Sequence, residues 1–217
     1  MNDSQTLRTM MVDTQVRPSN VTKFPIIEAM LAVPREDFVP DARRAAAYAD
    51  APVDLGDGRA MLEPRTLAKI LDAVDIGTED LVLDLGTGLG YGAAVMARMA
   101  EFVVALEEDA ELAAEAETRL AAAGVDNVAV ITGPLAEGDA RHGPYDVVFI
   151  EGAVQQVPST ILKQIKDGGR IVAIFDGDHL GTVRVGYRIG DDVDWRSAFN
   201  AAATVLPGFA AAPEFAL

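Results

Sequence analysis

The chain has 217 residues, 50% hydrophobic and 24% charged, enough for one globular domain with a full core. Its 34 acids outnumber 18 Lys and Arg, and the formal net charge of -16 argues against nucleic acid as a partner, since phosphate contacts need clustered bases. The absence of cysteine excludes disulfides, a thiol nucleophile and a thiolate metal site, and no metal site of another kind is expected.

In chain order, residues 3–16 are polar and Met-rich and predict an amphipathic helix ended by Arg17-Pro18-Ser19-Asn20. Residues 21–32 place Phe24, Ile27, Met30 and Leu31 at the spacing of one helix face, with Thr22 as N-cap and Pro25 in the first turn. Residues 33–40, bracketed by prolines, predict an extended linker. A short helix over 41–48 and a turn-rich strand and loop over 50–58 follow. A helix over 64–74 turns Leu67, Ile70, Leu71 and Val74 inward. Buried strands are predicted at 81–85, 102–106, 128–131, 146–150 and 170–175, with helices at 110–123 and at 158–166, the latter stopped by Gly168-Gly169. Residues 182–189 alternate like an antiparallel strand, and a last strand is expected near 203–206. Strands alternating with helices imply an α/β fold, a doubly wound and mainly parallel sheet with an N-terminal helical extension. The expected organisation is one domain over 1–217, with an extension at 1–60, a ligand-binding core at 64–206 and a tail at 207–217. No apolar run approaches the ~18 residues of a membrane span, and no signal peptide is visible at the start, so the expected location is the cytoplasm.

The chain is organised around Leu81-Val82-Leu83-Asp84-Leu85-Gly86-Thr87-Gly88-Leu89-Gly90-Tyr91-Gly92, an apolar strand, a glycine turn and the opening of an alanine-rich helix. Such a turn lets backbone amides approach a nucleotide-like ligand closely. After the second strand come Glu107 and Glu108, and an acid there can accept both ribose hydroxyls. A dinucleotide register can be forced on Gly88, Gly90 and Ala93, but it leaves Asp84 beside a pyrophosphate. A glycine turn that only packs helix on sheet leaves both acids unexplained. Asp84-x-Gly86-x-Gly88-x-Gly90 instead resembles the first motif of S-adenosylmethionine (SAM) methyltransferases, whose ligand is cationic and welcomes a carboxylate.

Over nearly its whole length the chain resembles the protein-L-isoaspartate O-methyltransferase family. The matching pieces are Val33-Pro34-Arg35-Glu36-Asp37-Phe38-Val39-Pro40, Tyr48-x-Asp50, Gly56-x-Gly58, Pro64, Gly86-Thr87-Gly88-Leu89-Gly90-Tyr91, Tyr145-Asp146, Val157-Pro158 and Gly168-Gly169. The resemblance implies a Rossmann-like SAM-dependent methyltransferase sandwich that esterifies the isoaspartyl carboxylate of a damaged protein or peptide. It places the cofactor on Asp84 (methionine amine), Gly86, Thr87, Gly88, Gly90, Tyr91, Glu107 (ribose) and Glu108. Alternatives are a diverged member with another acceptor, a non-catalytic SAM-binding protein, or a nicotinamide oxidoreductase. Three departures stand out. Leu62 and Glu63 replace the serine and glutamine of a T-I-S-Q-P type segment, Leu62 either costing a substrate hydrogen bond or packing into the core. Gly133-Pro134-Leu135 replaces the adenine-holding G-D-G, which weakens that contact or moves it toward Glu137. Glu151 stands at the carboxyl end of the fourth strand, as an acceptor contact or a solvated acid. His142 and His179 are expected on loops.

Overall fold

A computed structural model describes residues 3–177 and 180–211; His179 and the end of the tail lie outside them. The N-terminal extension runs through α1 (Asp3–Met11), a wider helical turn at Val12–Val16 and a tight one at Arg17–Ser19. Asn20, at a left-handed φ of 65°, ends it. After α2 (Phe24–Ala32) come two tight turns, Arg35–Phe38 and Asp41–Ala46. A two-stranded antiparallel hairpin follows, β1 (Val53–Gly56) with β2 (Arg59–Met61), and leads into α3 (Pro64–Val74).

The core then alternates strand and helix: β3 (Leu81–Leu85), α4 (Tyr91–Met96), β4 (Phe102–Glu107), α5 (Ala110–Ala122), β5 (Val128–Thr132), β6 (Tyr145–Val154), α6 (Ser159–Leu162) and β7 (Ile165–Phe175). β8 (Thr182–Ile189) and β9 (Asp192–Asn200) close it. The strand order is β5-β4-β3-β6-β7-β8-β9, parallel from β5 to β7 and antiparallel at β8 and β9. This is the expected α/β architecture, and its central strands are continuous apolar runs because both faces are covered. One face, carrying Val82, Val103, Ala105, Val147 and Phe149, packs under the N-terminal helices, α3 and α4. The other, with Leu83, Leu85, Val104, Leu106, Val148 and Ile150, is covered by Leu135, Ile161, Leu206 and Phe209. The acids that interrupt these runs, Asp84, Glu107 and Glu151, fall in the alternation of the first face.

Several expectations are corrected. Thr22 does not cap α2; Lys23 holds that position without a side-chain bond, and the buried face is Ile26, Ile27, Ala29 and Met30, leaving Phe24 71% exposed. The 33–40 segment is not extended: it winds into a tight turn that buries Arg35 and Phe38. Gly168 and Gly169 do not stop a helix but lie inside β7, where a Cβ on Gly169 would meet the Asp146 carbonyl at 3.0 Å. β5 is only half-buried because it is the sheet's edge. The final strand is β9 rather than 203–206, where only the bridge Ala153–Val205 forms.

Arg35 ties the extension to the core. Fully buried, it donates from Nε to the Ala47 carbonyl and from Nη2 to that of Leu62, both at 2.7 Å. Its guanidinium covers the Tyr91 ring at 4.7 Å, and burial lowers its pKa. Arg35→Met keeps the volume but strands both carbonyls, and is expected to cost about 3 kcal/mol of unfolding free energy in urea titrations.

Candidate active site

Three neighbouring strands carry buried acids toward their carboxyl ends on one face. The glycine turn after β3 is closed by Gly86 N–H on the Leu106 carbonyl (2.9 Å) and Gly90 N–H on that of Thr87 (2.9 Å). Gly86, Gly88 and Gly90 all take positive φ, 83°, 57° and 91°, which side chains would resist. A Cβ on Gly86 would lie 3.0 Å from Leu206 and 3.2 Å from Arg59, and one on Gly88 would lie 2.7 Å from Leu55, so the turn is bare and closely covered.

Glu107, at the end of β4, is fully buried. Its carboxylate accepts from the amides of Gly88 (2.8 Å), Glu108 (2.9 Å) and Asp109 (3.2 Å). Arg59 completes the shell with Nη1 at 2.5 Å and Nη2 at 2.9 Å, the latter nitrogen also donating to the Gly86 carbonyl at 3.0 Å. Arg59 lies 48 residues before Glu107 in sequence, and nothing in the local pattern around β2 announces it.

Asp84 is also completely buried, and neither of its oxygens finds a hydrogen bond of good geometry, although Thr87 and Glu151 face it. Thr87 Oγ1 and the Tyr91 hydroxyl likewise make no hydrogen bond of good geometry among the described residues. Burial pushes the Asp84 pKa up to about 7, against the help of Thr87. Glu151 is not solvated: it is buried, Oε1 has no partner, and a Cβ on Gly92 would lie 1.7 Å from that oxygen, so only glycine admits the carboxyl. Burial, and then the Asp84 charge, raise Glu151 well above the carboxylate range. Leu62 is buried in the core, its carbonyl held by Arg35, and Glu63 accepts from Thr66 Oγ1 at 2.5 Å. Beside them lies a cavity of about 270 Å³ lined by Gly58, Ala60, Leu62, Glu63, Glu151, Thr204 and Leu206, among others.

Other singled-out residues lie further out. The Glu108 side chain is exposed. Gly133 N–H donates to the Glu107 carbonyl (3.0 Å), Pro134 is exposed, and Leu135 is buried in the opposite face. The Glu137 side chain is exposed, and His142 pairs with Asp139 on a loop. Sequence reasoning missed Arg59 and Arg35 as site residues, and both act through contacts remote in sequence. An orphaned buried acid (Asp84) and an acid aimed at a bare glycine turn (Glu107) suit a cationic nucleoside.

This sheet order, turn and acid placement define the Rossmann-like SAM-dependent methyltransferase class. The particular family is then fixed by comparison: residues 8–185 match protein-L-isoaspartate(D-aspartate) O-methyltransferase, and the chain belongs to that family. A Koribacter versatilis protein-L-isoaspartate O-methyltransferase is 39% identical over 165 residues, 76% of this chain and 74% of the relative. One from Syntrophus aciditrophicus is 34% identical over 194 residues, 89% of each chain. In fold, a solved protein-L-isoaspartate O-methyltransferase superposes with a TM-score of 0.80 at 24% identity, covering 94% of this chain and 66% of that one. A putative Plasmodium falciparum homologue in complex with S-adenosyl-L-homocysteine gives 0.79 at 16% identity, covering 95% and 99%. No helix among the described residues is long and apolar enough to cross a membrane.

The paired acids make a pH prediction. The unfolded chain ionises Asp84 near 3.8 and Glu151 near 4.5, while the folded chain keeps its protons higher. The native state therefore binds more protons, and these groups lower stability as pH rises through about 4 to 7. Glu151→Gln is expected to flatten that decline, so that its urea midpoint exceeds wild type at about pH 8 by more than at about pH 5.

Proposed function

We propose that the protein is a SAM-dependent methyltransferase that esterifies the free carboxylate of isoaspartyl residues in damaged proteins, a repair step carried out in the cytoplasm. The observation that carries this reading is the pair of fully buried acids at adjacent strand ends, Asp84 and Glu107, flanking a turn that only glycine can form. The names of the relatives support the acceptor.

In this reading Asp84 faces the cationic end of the cofactor and Glu107 its ribose. Gly86, Thr87, Gly88 and Gly90 supply the bare backbone, with Tyr91 behind it. Gly133, Pro134 and Leu135 border the adenine side, with the Glu108 side chain outside. When bound, SAM supplies a methyl on a sulfonium; transfer breaks a C–S bond and forms a C–O bond, with no proton to move. A carboxylate is already nucleophilic at neutral pH, so the chain needs no general base. Its task is to align the acceptor and keep water out. Leu62, buried at the edge of the acceptor cavity, brings apolar surface and no hydroxyl there, while Glu63 adds an acid. Those two residues favour a second reading, a diverged member with another acceptor or SAM binding without turnover.

Transfer of labelled methyl groups to an isoaspartyl peptide and its aspartyl twin separates these readings, with label expected in the first alone. No label in either, while S-adenosylhomocysteine still binds calorimetrically, would select the second reading. Leu62→Ser is expected to raise kcat/KM for the isoaspartyl peptide about tenfold, the worth of a hydrogen bond to a charged group. Asp84→Asn should weaken S-adenosylhomocysteine binding by about tenfold, since it removes the counter-charge of a buried cation.

A further inference from the structure

The pair Arg59–Glu107 has a feature that ordinary buried ion pairs lack: it lies on the turn that the sequence keeps bare. The guanidinium offers Glu107 two N–H donors side by side, at 2.5 and 2.9 Å, as a ribose diol would offer two O–H donors. Arg59 Nη2 and Leu206 also crowd Gly86, at 3.2 and 3.0 Å from where its Cβ would be. Neither Glu107 nor Asp84 lines the neighbouring cavity, and both are fully buried.

The cavity poses the complementary problem. Among the described residues its lining carries two acids, Glu63 and Glu151, and no Lys, Arg or His. A carboxylate acceptor would enter it with no counter-charge and two like charges or carboxyls nearby. Two bases lie within reach of Glu151; Arg35 is committed to the Ala47 and Leu62 carbonyls, which leaves Arg59. Its chain neighbours Gly58 and Ala60 both line the cavity, and so does Leu206, which shares the Gly86 contact with the guanidinium. A planar fork is also the side chain best shaped for bidentate carboxylate recognition.

We propose that Arg59 exchanges between two carboxylates: it holds Glu107 in the free protein, yields that seat to the cofactor's ribose, and then clamps the acceptor's carboxylate in the adjoining cavity. The inference rests on the functional reading above and adds an order to it. Leaving Glu107 buried without a replacement is costly, so the guanidinium stays until another pair of donors arrives. The cofactor therefore binds first, against the competition of Arg59, and the acceptor second. Free energy held in the self-liganded form lowers the apparent cofactor affinity by the fraction of molecules in which the seat is open.

Calorimetry with S-adenosylhomocysteine and an isoaspartyl peptide tests this on wild type and Arg59→Gln. The variant should bind S-adenosylhomocysteine at least about tenfold more tightly. The peptide should bind wild type only when S-adenosylhomocysteine is present, and bind the variant at least about tenfold more weakly under that condition. The two affinities thus move in opposite directions, whereas a merely structural role for Arg59 would weaken both. Unchanged or weaker S-adenosylhomocysteine binding by the variant overturns the exchange, as does peptide binding to wild type that is indifferent to the cofactor product. Failure of both proteins to bind S-adenosylhomocysteine overturns the inference together with the functional reading. Should Arg59→Gln not fold, a crystal structure of wild type with S-adenosylhomocysteine decides: the ribose on Glu107 and Arg59 moved off it is expected, and an intact Arg59–Glu107 pair beside bound ligand ends the proposal.

Discussion

Burying three carboxylates toward the carboxyl ends of three neighbouring strands is the constraint around which this molecule is arranged. Asp84, Glu107 and Glu151 lie on one face of the sheet, out of water, where an uncompensated charge is prohibitively costly. They are accommodated in two ways. Glu107 receives three backbone amides and a guanidinium fork. Asp84 and Glu151 face each other with raised proton affinities, so that neutral pH leaves the pair short of full ionisation. Arg35 on one side and Arg59 on the other bring positive charge within reach of Glu151. The two guanidiniums thus offset part of the charge that three carboxyls would carry if all were ionised.

That balance explains why the N-terminal extension is part of the site's architecture. The tight turn at Arg35–Phe38 exists to insert Arg35 between the Ala47 and Leu62 carbonyls and over Tyr91. Phe38 packs beside the same ring, 6.0 Å between centroids. The hairpin β1–β2 delivers Arg59 from the other direction. Helix α4 begins at Tyr91 and presents Gly92, the one residue type that leaves room for the Glu151 carboxyl. The glycine turn, the extension and the hairpin are therefore one electrostatic unit assembled from segments far apart in the chain.

Two of the departures from the family pattern, Leu62 and Glu151, touch this unit. Leu62 supplies apolar surface where a hydroxyl would stand, and its carbonyl is bound to Arg35. Glu151 supplies an acid to the lining of the neighbouring cavity. Pro134 opens a tight turn whose Leu135 is buried in the opposite face, so this segment serves packing as well as bordering the site. Leu62 and Glu151 thus make a cavity that is apolar and acidic, next to the buried Arg59–Glu107 pair.

The sequence by itself determined the sheet, the glycine turn and the acids at the strand ends. Apolar runs such as 81–85 and 102–106 have a single stable fate, and glycines spaced by two at a strand end admit few conformations. Helix α3 was legible because Leu67, Ile70, Leu71 and Val74 repeat at helical spacing, and all four are buried. Local pattern failed where long-range contact overrode it. The 33–40 segment looks extended between its prolines, but burying Arg35 and Phe38 winds it into a turn. Gly168-Gly169 reads as a helix stop, yet the close approach of the Asp146 carbonyl gives it a place within β7. Above all, only the tertiary structure decided what Glu107 and Asp84 touch. Hydrogen bonds between residues 48 apart leave no trace in periodicity or composition, because they depend on where the folded chain brings a flexible side chain and not on the residues around it.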